Sequence, residues 1–443
     1  MTLRPLMPHQ HDALAYANKR SSVALFMEMR LGKTIVAIRW AQRQAKHRAG
    51  RILVVAPLAV LRTWQEELIK EGETSVTLKG KCVVGGQAQF FLINYELLRA
   101  RPGLFQVDWD VIILDESTKI RNPQAQITKL LLHNRDRFPA RAILSGMPAP
   151  ESAQDFCCQM LFLHPEFLGA QNFWQFRHRF FNLYGYDWVP RLGVLGKIRA
   201  AVHERAFVFT RKQAGIGSKK IYEKRYVEMS AAQRKQYKKI EKEFAYETKD
   251  HAEIQTKWNP VKLTWLARVA GGFNPDSLLV SDSKAREVLS LLKGELVQEQ
   301  VIVWFRFNQE LRHCDAVLRN EGIRSACITG ETSQETRQDT VARFKEGALR
   351  VLCVQEKCGM FGVDWSCAST AIYYSNHYEA EARAQSEDRI LHPAKSEPLL
   401  YIDLVTKDTV DEDVVATLQD KRITSAMFMT KFMENWRTRC ASR

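Results

Sequence analysis

Short apolar runs alternate along this chain with longer stretches that have the composition of helices. Ten runs have the length of strands, namely SVALF, ILVVA, FLIN, VIIL and AILS in the first half and VIVWF, ACIT, VLCV, TAIYY and LLYIDL in the second. Continuous apolar strands separated by helices indicate parallel sheets that are covered on both faces. Two such sets predict an α/β fold with two lobes.

The region between the two sets, about residues 151 to 295, has a different composition. It is richer in aromatic and basic residues, and segments such as AAQRKQYKKIEKEFAYE are typical of helix. We therefore expect mostly helical insertions here, together with the connection between the lobes.

The composition is that of a globular protein with a large core. The chain has 443 residues, of which 45% are hydrophobic and 26% charged, so two to three domains are expected. No apolar run approaches the roughly 18 residues of a membrane span, and the opening MTLRPLMPHQHD has no apolar signal region. Nine cysteines without a C-x-x-C pair argue against a disulfide framework and against zinc. We expect a protein of a reduced, cytoplasmic compartment with no membrane partner.

The charge is strongly basic and unevenly distributed. The formal net charge is +15 and the pI is near 9.4. Between residues 177 and 225 there are 12 Lys and Arg against 3 Asp and Glu. Because phosphate contacts supply most non-specific affinity for nucleic acids, this surplus favours a nucleic-acid partner. A solvated basic face remains the alternative.

The segment MEMRLGKT, residues 27 to 34, ends like a phosphate-binding loop. It follows the run SVALF and precedes TIVAIRWAQRQ, so it has the required order of strand, loop and helix. Backbone N–H groups at the helix start would hold phosphates, Lys33 would reach the β- and γ-phosphates, and Thr34 would bind magnesium. Met27 replaces the first glycine of the pattern and Arg30 stands where a glycine is common, so the loop has fewer permissive backbone positions.

Two further segments of the first half have a place in the same chemistry. In VIILDEST, Asp115 and Glu116 leave an apolar strand, where parallel sheets place ligand groups. Asp115 can hold magnesium and Glu116 can orient and deprotonate water. An acidic turn that caps the next helix is the alternative. The Ser-Gly turn of AILSGMPAP could contact the phosphate end of a nucleotide bound at these segments.

The second half contains VQEKCGMFGVDWS and ARAQSEDRILHPAK. Gly359 and Gly362 predict a tight turn with exposed N–H groups. Gln385 and Arg389 lie four residues apart on a predicted helix and would share a face. An arginine from a second lobe can neutralise charge on a transferred phosphoryl group, although a surface salt bridge is the commoner role.

The order and spacing of these segments resemble helicase superfamily two and, within it, the Swi/Snf-type DNA translocases. The resemblance runs from about Leu6 to Val410. It rests on these matches: MPHQHDAL to the Q motif, VVAPLAVLRTWQEEL to motif Ia, INYELL to Ib, DEST to II, LSGMP to III, VIVWFRFNQEL to IV and ITGETSQETRQDTVARFKEG to the segment after it, GMFGVD to V, QSEDR to VI, and FVFTRKQ with KKIYEKRYVEMSAAQRKQY to the family's Arg/Thr-Lys segment and the strand that enters lobe two.

The resemblance implies two RecA-like lobes with ATP and Mg²⁺ bound in the cleft between them. Lobe 1 would span 1–215 with a helical insertion at about 151–205, and lobe 2 would span 216–443 with one at about 230–280. Catalytic roles fall on Lys33, Glu116 and Arg389, and metal binding falls on Thr34 and Asp115. The implied nucleotide contacts are Gln10, Met29, Arg30, Leu31, Gly32, Lys33, Thr34, Asp115, Gly362, Asp364 and Gln385.

Two positions depart from the family pattern besides the loop. Glu151 stands where motif III usually ends in Asn, and His392 stands where the second arginine of motif VI is found. Histidine is shorter and largely neutral at pH 7. Hydrolysis is therefore expected to rest mainly on Arg389 and to be slow. Lys395 lies nearby in the sequence.

The resemblance also implies phosphate contacts from both lobes to DNA. The candidates are Arg62, Thr63, Asn94, Arg306, Thr332, Ser333, Gln355 and Lys357, and a solvated loop residue is the alternative at each. Such contacts position the protein without reading bases, so we expect little sequence specificity and steep salt dependence.

These observations predict a monomeric, DNA-stimulated ATPase that translocates on duplex or branched DNA and remodels forks, junctions or bound proteins. The chain resembles a bare motor of the bacterial or viral kind, so a bacterial or infected-cell cytoplasm is expected. An RNA helicase of the same superfamily is one alternative. An ATP-binding DNA clamp that hydrolyses poorly is another.

Overall fold

The computed structural model describes residues 4–45, 50–80, 88–149, 152–184, 187–216, 218–249, 260–356, 365–377, 379–391 and 397–419. The chain divides into two compact units, Met1–Ile216 and Gly217–Arg443. Among the described helices, none is both long and apolar enough to cross a membrane.

The first unit is built on a seven-stranded parallel sheet with the order β3-β4-β2-β5-β6-β1-β9. Its strands are β1 Ser22–Met27, β2 Ile52–Val55, β3 Ser75–Thr77, β4 Phe90–Ile93, β5 Val111–Asp115, β6 Ala140–Ser145 and β9 Ala206–Phe209. A separate antiparallel hairpin pairs β7 Phe181–Tyr184 with β8 Asp187–Pro190.

Helices cover both faces of this sheet. They are α1 Pro8–Ala17, α2 Lys33–Gln44, α3 Leu61–Lys70, α4 Tyr95–Ala100, α5 Gln126–Asn134, α6 Asp155–Leu163, α7 Phe173–Phe180 and α8 Val194–Arg205. Alternate residues of each strand enter two apolar layers: Leu53 and Val55 of β2 lie in one, whereas Ile52 and Val54 lie in the other. Burial on both faces is the reason that the strands are continuously apolar.

The second unit has a six-stranded parallel sheet with the order β10-β15-β14-β11-β13-β12. Its strands are β10 Lys220–Val227, β11 Val301–Phe305, β12 Ser325–Ile328, β13 Val351–Gln355, β14 Thr370–Tyr373 and β15 Leu399–Thr406. Its described helices are α9 Ala231–Lys249, α10 Pro260–Ala270, α11 Ser283–Lys293, α12 Asn308–Asn320, α13 Gln334–Lys345, α14 Ala380–Glu387 and α15 Val410–Gln419.

The predicted fold class, two RecA-like lobes on parallel sheets with helical insertions, is confirmed. All ten apolar runs form strands, within about two residues of the predicted bounds. The middle region contains the helices α6 to α11. It also contains the β7–β8 hairpin and two strands that extend the sheets, β9 beside β1 and β10 beside β15, of which β10 lies in the segment where the resemblance predicts a strand.

The strand order places the predicted site at one edge of the first sheet. β6 lies between β5 and β1, and all three strands are parallel. Their carboxyl ends therefore meet at the same edge, where α/β sheets bind ligands.

Candidate nucleotide site and nucleic-acid contacts

The loop after β1 requires glycine at position 32. Gly32 has φ +73° and precedes α2, which begins at Lys33. A Cβ atom on Gly32 would lie 2.2 Å from Nε2 of Gln10. Both the left-handed φ and the lack of space therefore require glycine here.

The two departures from the loop pattern have different consequences. Arg30 has φ +69°, a left-handed conformation that glycine adopts without strain and that costs other residues roughly 1–2 kcal/mol. Met27 is the last residue of β1 and is fully buried. The first glycine is thus replaced by a strand residue, whereas Arg30 occupies a strained position.

Lys33 lies against the backbone of the loop. Its Nζ donates to the carbonyl oxygens of Met27 at 2.8 Å and Glu28 at 3.4 Å. The Ser-Gly turn after β6 reaches the same place, because a Cβ on Gly146 would lie 3.6 Å from Lys33 Nζ and 3.4 Å from the backbone N of Met29. The structure therefore brings motif III together with the phosphate loop.

Asp115 is buried and held at both carboxylate oxygens. Oδ2 accepts from the indole Nε1 of Trp64 at 2.8 Å, and Oδ1 accepts from the N–H of Glu116 at 3.0 Å. The hydroxyl of Tyr95 donates to the carbonyl oxygen of Asp115 at 2.8 Å. Burial raises the pKa of Asp115, and the Trp64 hydrogen bond and the charge of Lys33 oppose that rise. Asp115 is thus a fixed carboxylate close to Lys33.

Glu116 has a strained backbone of the kind that is concentrated at functional sites. Its φ is +51°, and it precedes the short 3₁₀ turn Ser117–Ile120, at a cost of roughly 1–3 kcal/mol for a non-glycine residue. Its carboxylate makes no capping hydrogen bond to that turn. The helix-capping alternative is therefore wrong for Glu116.

A buried glutamine that the sequence analysis missed links motifs II and III. The hydroxyl of Ser117 donates to Oε1 of Gln159 at 2.6 Å, and Nε2 of Gln159 donates to the carbonyl oxygens of Pro148 at 2.6 Å and Asp155 at 2.7 Å. Gln159 is fully buried in α6. The sequence feature that could have indicated Gln159 is its position as a polar residue inside the apolar helix DFCCQMLFL.

Gln10 lies at the phosphate loop and is hydrogen-bonded within the protein. Its Oε1 accepts from the N–H of Met7 at 3.0 Å, and its Nε2 donates to the carbonyl oxygen of Leu31 at 3.2 Å. The ring of His9 also contacts that carbonyl at 3.0 Å and stacks on Phe209. Gln10 therefore supports the loop, and its reading of adenine stays a prediction.

The oxygen donors present fit Mg²⁺ as a nucleotide-bound ion. Thr34 is the second residue of α2 and Asp115 ends β5. One hydroxyl and one carboxylate leave most of an octahedral shell to phosphate and water, as Mg²⁺ prefers. The N-terminal N–H groups of α2 suit the phosphates themselves.

Motif VI in the second unit differs from its predicted geometry. Gln385 is buried in α14, but α14 ends at Glu387 and Arg389 lies beyond its C-cap. The N–H of Arg389 donates to the carbonyl oxygen of Ser386 at 3.2 Å and its own carbonyl accepts from Trp365. The prediction that Gln385 and Arg389 share one helix face is therefore wrong, because the helix stops between them.

A buried arginine fixes α14 in place. Arg383 donates to both oxygens of Asp403 at 2.5 and 3.2 Å, and its Nε donates to Glu387 at 2.9 Å. Its guanidinium lies 3.4 Å from the ring centroid of Tyr373.

Several predicted residues lie outside the described part of the chain, namely Glu151, Lys357, Gly359, Gly362, Asp364, His392 and Lys395.

The described DNA-contact candidates follow the carboxyl ends of strands in their own sheets. Arg62 and Thr63 lie in α3 after β2, Asn94 follows β4, Arg306 follows β11, Thr332 and Ser333 follow β12, and Gln355 ends β13. Placement at one edge suits a common surface within each unit.

Several of these side chains also hold their own loops. Asn94 and Ser333 cap helices by accepting from the N–H groups of Leu97 and Thr336. Gln355 Oε1 accepts from the N–H of Gly330 at 3.2 Å. Arg62 is exposed and pairs with Glu66. Phosphate binding by these residues stays a prediction.

Comparison with models of protein families shows which family the chain belongs to. Residues 9–269 match the SNF2-related domain, and residues 283–393 match the helicase conserved C-terminal domain. The chain belongs to the SNF2-related family, the Swi/Snf-type ATPases of helicase superfamily two.

The curated relatives are distant in sequence and much longer. The chain is 23% identical to the ISWI chromatin-remodeling complex ATPase ISW1 of Saccharomyces cerevisiae over 89% of its own length and 37% of that protein. It is 22% identical to the transcription regulatory protein SNF2 of the same yeast, over 88% of the chain and 25% of that protein. A solved Sulfolobus solfataricus SWI2/SNF2 ATPase core in complex with dsDNA aligns with a TM-score of 0.46 at 20% identity, covering 95% of this chain and 92% of that one. The chain thus spans about a quarter to two fifths of these two curated relatives.

Proposed function

We propose that this protein is a DNA-stimulated ATPase that translocates on duplex DNA. The observation that carries the proposal is the convergence of Lys33, Asp115 and Glu116 beside the left-handed Gly32 at one edge of the first sheet. These are the side chains that phosphoryl transfer to water requires, in a chain of the SNF2-related family.

Each residue has a distinct role in the proposed hydrolysis. Lys33 leaves the carbonyl oxygens of Met27 and Glu28 to bind the β- and γ-phosphates. Mg²⁺ would be held by Thr34 and Asp115 and would neutralise developing charge on the phosphates. Glu116 orients water and takes its proton.

Two groups outside this cluster complete the proposed cycle. Gln159 transmits movement of the loop after β6 to Ser117, next to the water-orienting Glu116, because its amide bonds to both segments. Arg389 keeps the role predicted for it, which is to neutralise charge that develops on the transferred phosphoryl group.

Movement along DNA requires phosphate contacts in both units. The candidates lie at the carboxyl edges of their sheets, and the net charge of +15 supplies the electrostatic attraction. We further propose that forks and junctions are preferred substrates, so that translocation remodels branched DNA.

Stimulation of ATP hydrolysis by different nucleic acids tests the proposal. Duplex DNA should raise kcat more than single-stranded DNA or RNA, and Lys33→Ala should abolish hydrolysis. Stimulation by RNA alone would replace the proposal with an RNA helicase. A matched blunt duplex, fork and four-way junction then measure the preference for branches.

The strain at Arg30 favours one second candidate, an ATP-dependent DNA clamp. Strain of roughly 1–2 kcal/mol at Arg30 would slow turnover if the loop had to relax before each cycle. Multiple-turnover phosphate release separates the two functions. Equal background rates in the wild type and Lys33→Ala, with DNA binding still dependent on ATP, would support the clamp.

A further inference from the structure

The β7–β8 hairpin and the helix α7 before it expose apolar and basic side chains together. Tyr184 is 65% exposed, Leu183 is 54% exposed and Trp174 is 47% exposed. Leu192, which follows the hairpin, is fully exposed. We name this set the hairpin surface, with the exposed basic residues Arg179 and Arg191 beside it.

The hairpin surface is held by a cluster of rings around one cation. The guanidinium of Arg177 lies 4.5 Å from the ring centroid of Phe173, 5.3 Å from that of Trp174 and 5.2 Å from that of Trp188. His178 contacts Trp188 edge-on at 5.1 Å. These contacts join α7 to β8, so the exposed rings stand on a fixed support.

Hydrogen bonds add to this support. Arg191 donates to the carbonyl oxygen of His178 at 2.8 Å, and its N–H donates to the carbonyl oxygen of Phe180 at 3.0 Å. Arg179 donates to the carbonyl oxygen of Leu168 at 3.1 Å. The basic side chains are thus oriented by the backbone of their own insertion.

Charge and chemistry together select the partner of this surface. Except for Trp174, its residues lie in the first part of the stretch from residue 177 to 225, which has 12 basic and 3 acidic residues. A polyanionic partner is therefore favoured. Continuous duplex presents phosphates outward and needs only cations. Exposed Trp and Tyr rings beside cations are the means by which proteins hold unpaired bases.

We propose that the hairpin surface binds unpaired bases of a branched DNA substrate. Trp174 and Tyr184 stack on bases, Leu183 packs against them, and Arg179 and Arg191 bind the flanking phosphates. This inference rests on the proposed function and names its substrate class: duplex DNA that adjoins a single-stranded segment.

The test compares two labelled DNAs of identical duplex sequence, one blunt and one with a single-stranded arm. Binding is measured by fluorescence anisotropy, and ATP hydrolysis is measured with each DNA. The variants are Trp174→Ala and the pair Leu183→Ala with Tyr184→Ala. Leu278→Ala, at a residue 65% exposed in the second unit, is the matched control for loss of exposed apolar surface.

The wild type should bind the armed DNA more tightly, and each hairpin variant should bind it about tenfold more weakly. Affinity for the blunt duplex and its stimulation of hydrolysis should change less than twofold. Tyr184→Phe should retain the affinity, because its ring still stacks.

Other outcomes overturn the inference. Equal wild-type affinity for the two DNAs, unchanged affinity in the variants, or equal losses for both DNAs would each contradict base stacking here. Unchanged DNA binding would point to a protein partner for this surface. Failure of the proposed function looks different: no DNA stimulates wild-type hydrolysis, whatever the anisotropy shows.

Discussion

Replacing Gln159 with leucine removes three hydrogen bonds inside the first unit. The bonds to Ser117, Pro148 and Asp155 measure 2.6, 2.6 and 2.7 Å, and Gln159 is fully buried. Each is worth roughly 0.5–1.5 kcal/mol net. The variant should therefore lose about 2–4 kcal/mol of stability and still fold, since domains typically have roughly 5–15 kcal/mol.

The kinetic effect distinguishes a positioning role from a structural one. Loss of the bond to Ser117 loosens the turn that holds Glu116, and a misplacement of about 1 Å costs roughly 100-fold in rate. We expect kcat for DNA-stimulated hydrolysis to fall about 10- to 100-fold in Gln159→Leu, with little change in KM for ATP. Denaturant unfolding and steady-state phosphate release measure the two quantities.

Two controls sharpen this experiment. Gln42→Leu removes one hydrogen bond, to Glu73 at 2.6 Å, and should cost about 1 kcal/mol with kcat unchanged. Gln159→Glu keeps the acceptor for Ser117 and should retain more activity than the leucine variant. A destabilised Gln159→Leu protein with wild-type kcat would refute the link between motifs II and III.

Three further predictions follow from buried contacts. Gly32→Ala should weaken ATP binding at least tenfold, because the new Cβ would lie 2.2 Å from Gln10 Nε2. In a double-mutant cycle, Gln10→Ala should partly restore the affinity of the Gly32→Ala variant for ATP. If the losses of affinity in the two single variants simply add in the double variant, the clash is contradicted. Trp64→Phe removes the donor to Asp115 and should cost about 1–3 kcal/mol and raise the Mg²⁺ concentration needed for hydrolysis; an unchanged Mg²⁺ titration would argue against it. Burial raises the pKa of Glu310 to about 7 from 4.5, against the hydrogen bond from Ser375 and the charge of Lys284. The folded state then keeps a proton that the unfolded chain releases, so the contribution of Glu310 to stability should fall as pH rises from 4.5 to 7. Unfolding of the wild type and Glu310→Gln across this range measures that contribution, which should be absent from the variant.

The strands of both sheets could be predicted from the sequence because they are buried on both faces. In a globular chain of this composition, continuous apolar runs such as VIIL and VIVWF indicate strands that are buried on both faces. These two runs form β5 and β11. The order of strand, loop and helix around Gly32 could be predicted from the Gly-Lys-Thr pattern, and the structure explains the glycine by its left-handed φ and the lack of space for a Cβ. Phosphate binding by this loop stays a prediction. Asp115 followed from its position at a strand end.

Edge strands gave a weaker signal. β10 has the sequence KIYEKRYV and is mostly exposed or half-buried, since it pairs on one side only. β9 has four residues, of which three are half-buried. Charged residues interrupt the apolar pattern of β10, so only the family resemblance indicated this strand, and β9 is apolar but only four residues long.

Long-range contacts explain the remaining differences. Gln159 lies 42 residues from Ser117, and no local pattern connects a glutamine in a helix to a strand end. The end of α14 is set by tertiary contacts, since Tyr401 and Lys220 hold Glu387 from β15 and β10. A four-residue spacing could not predict that Arg389 lies beyond the helix.

Displacement of a third strand from duplex DNA tests movement most directly. A triplex-bearing duplex is mixed with the protein and ATP, and release of the third strand is followed over time. We predict ATP-dependent release by the wild type and none by Glu116→Gln, which should still bind ATP. Wild-type hydrolysis of ATP on this DNA without release of the third strand would contradict translocation.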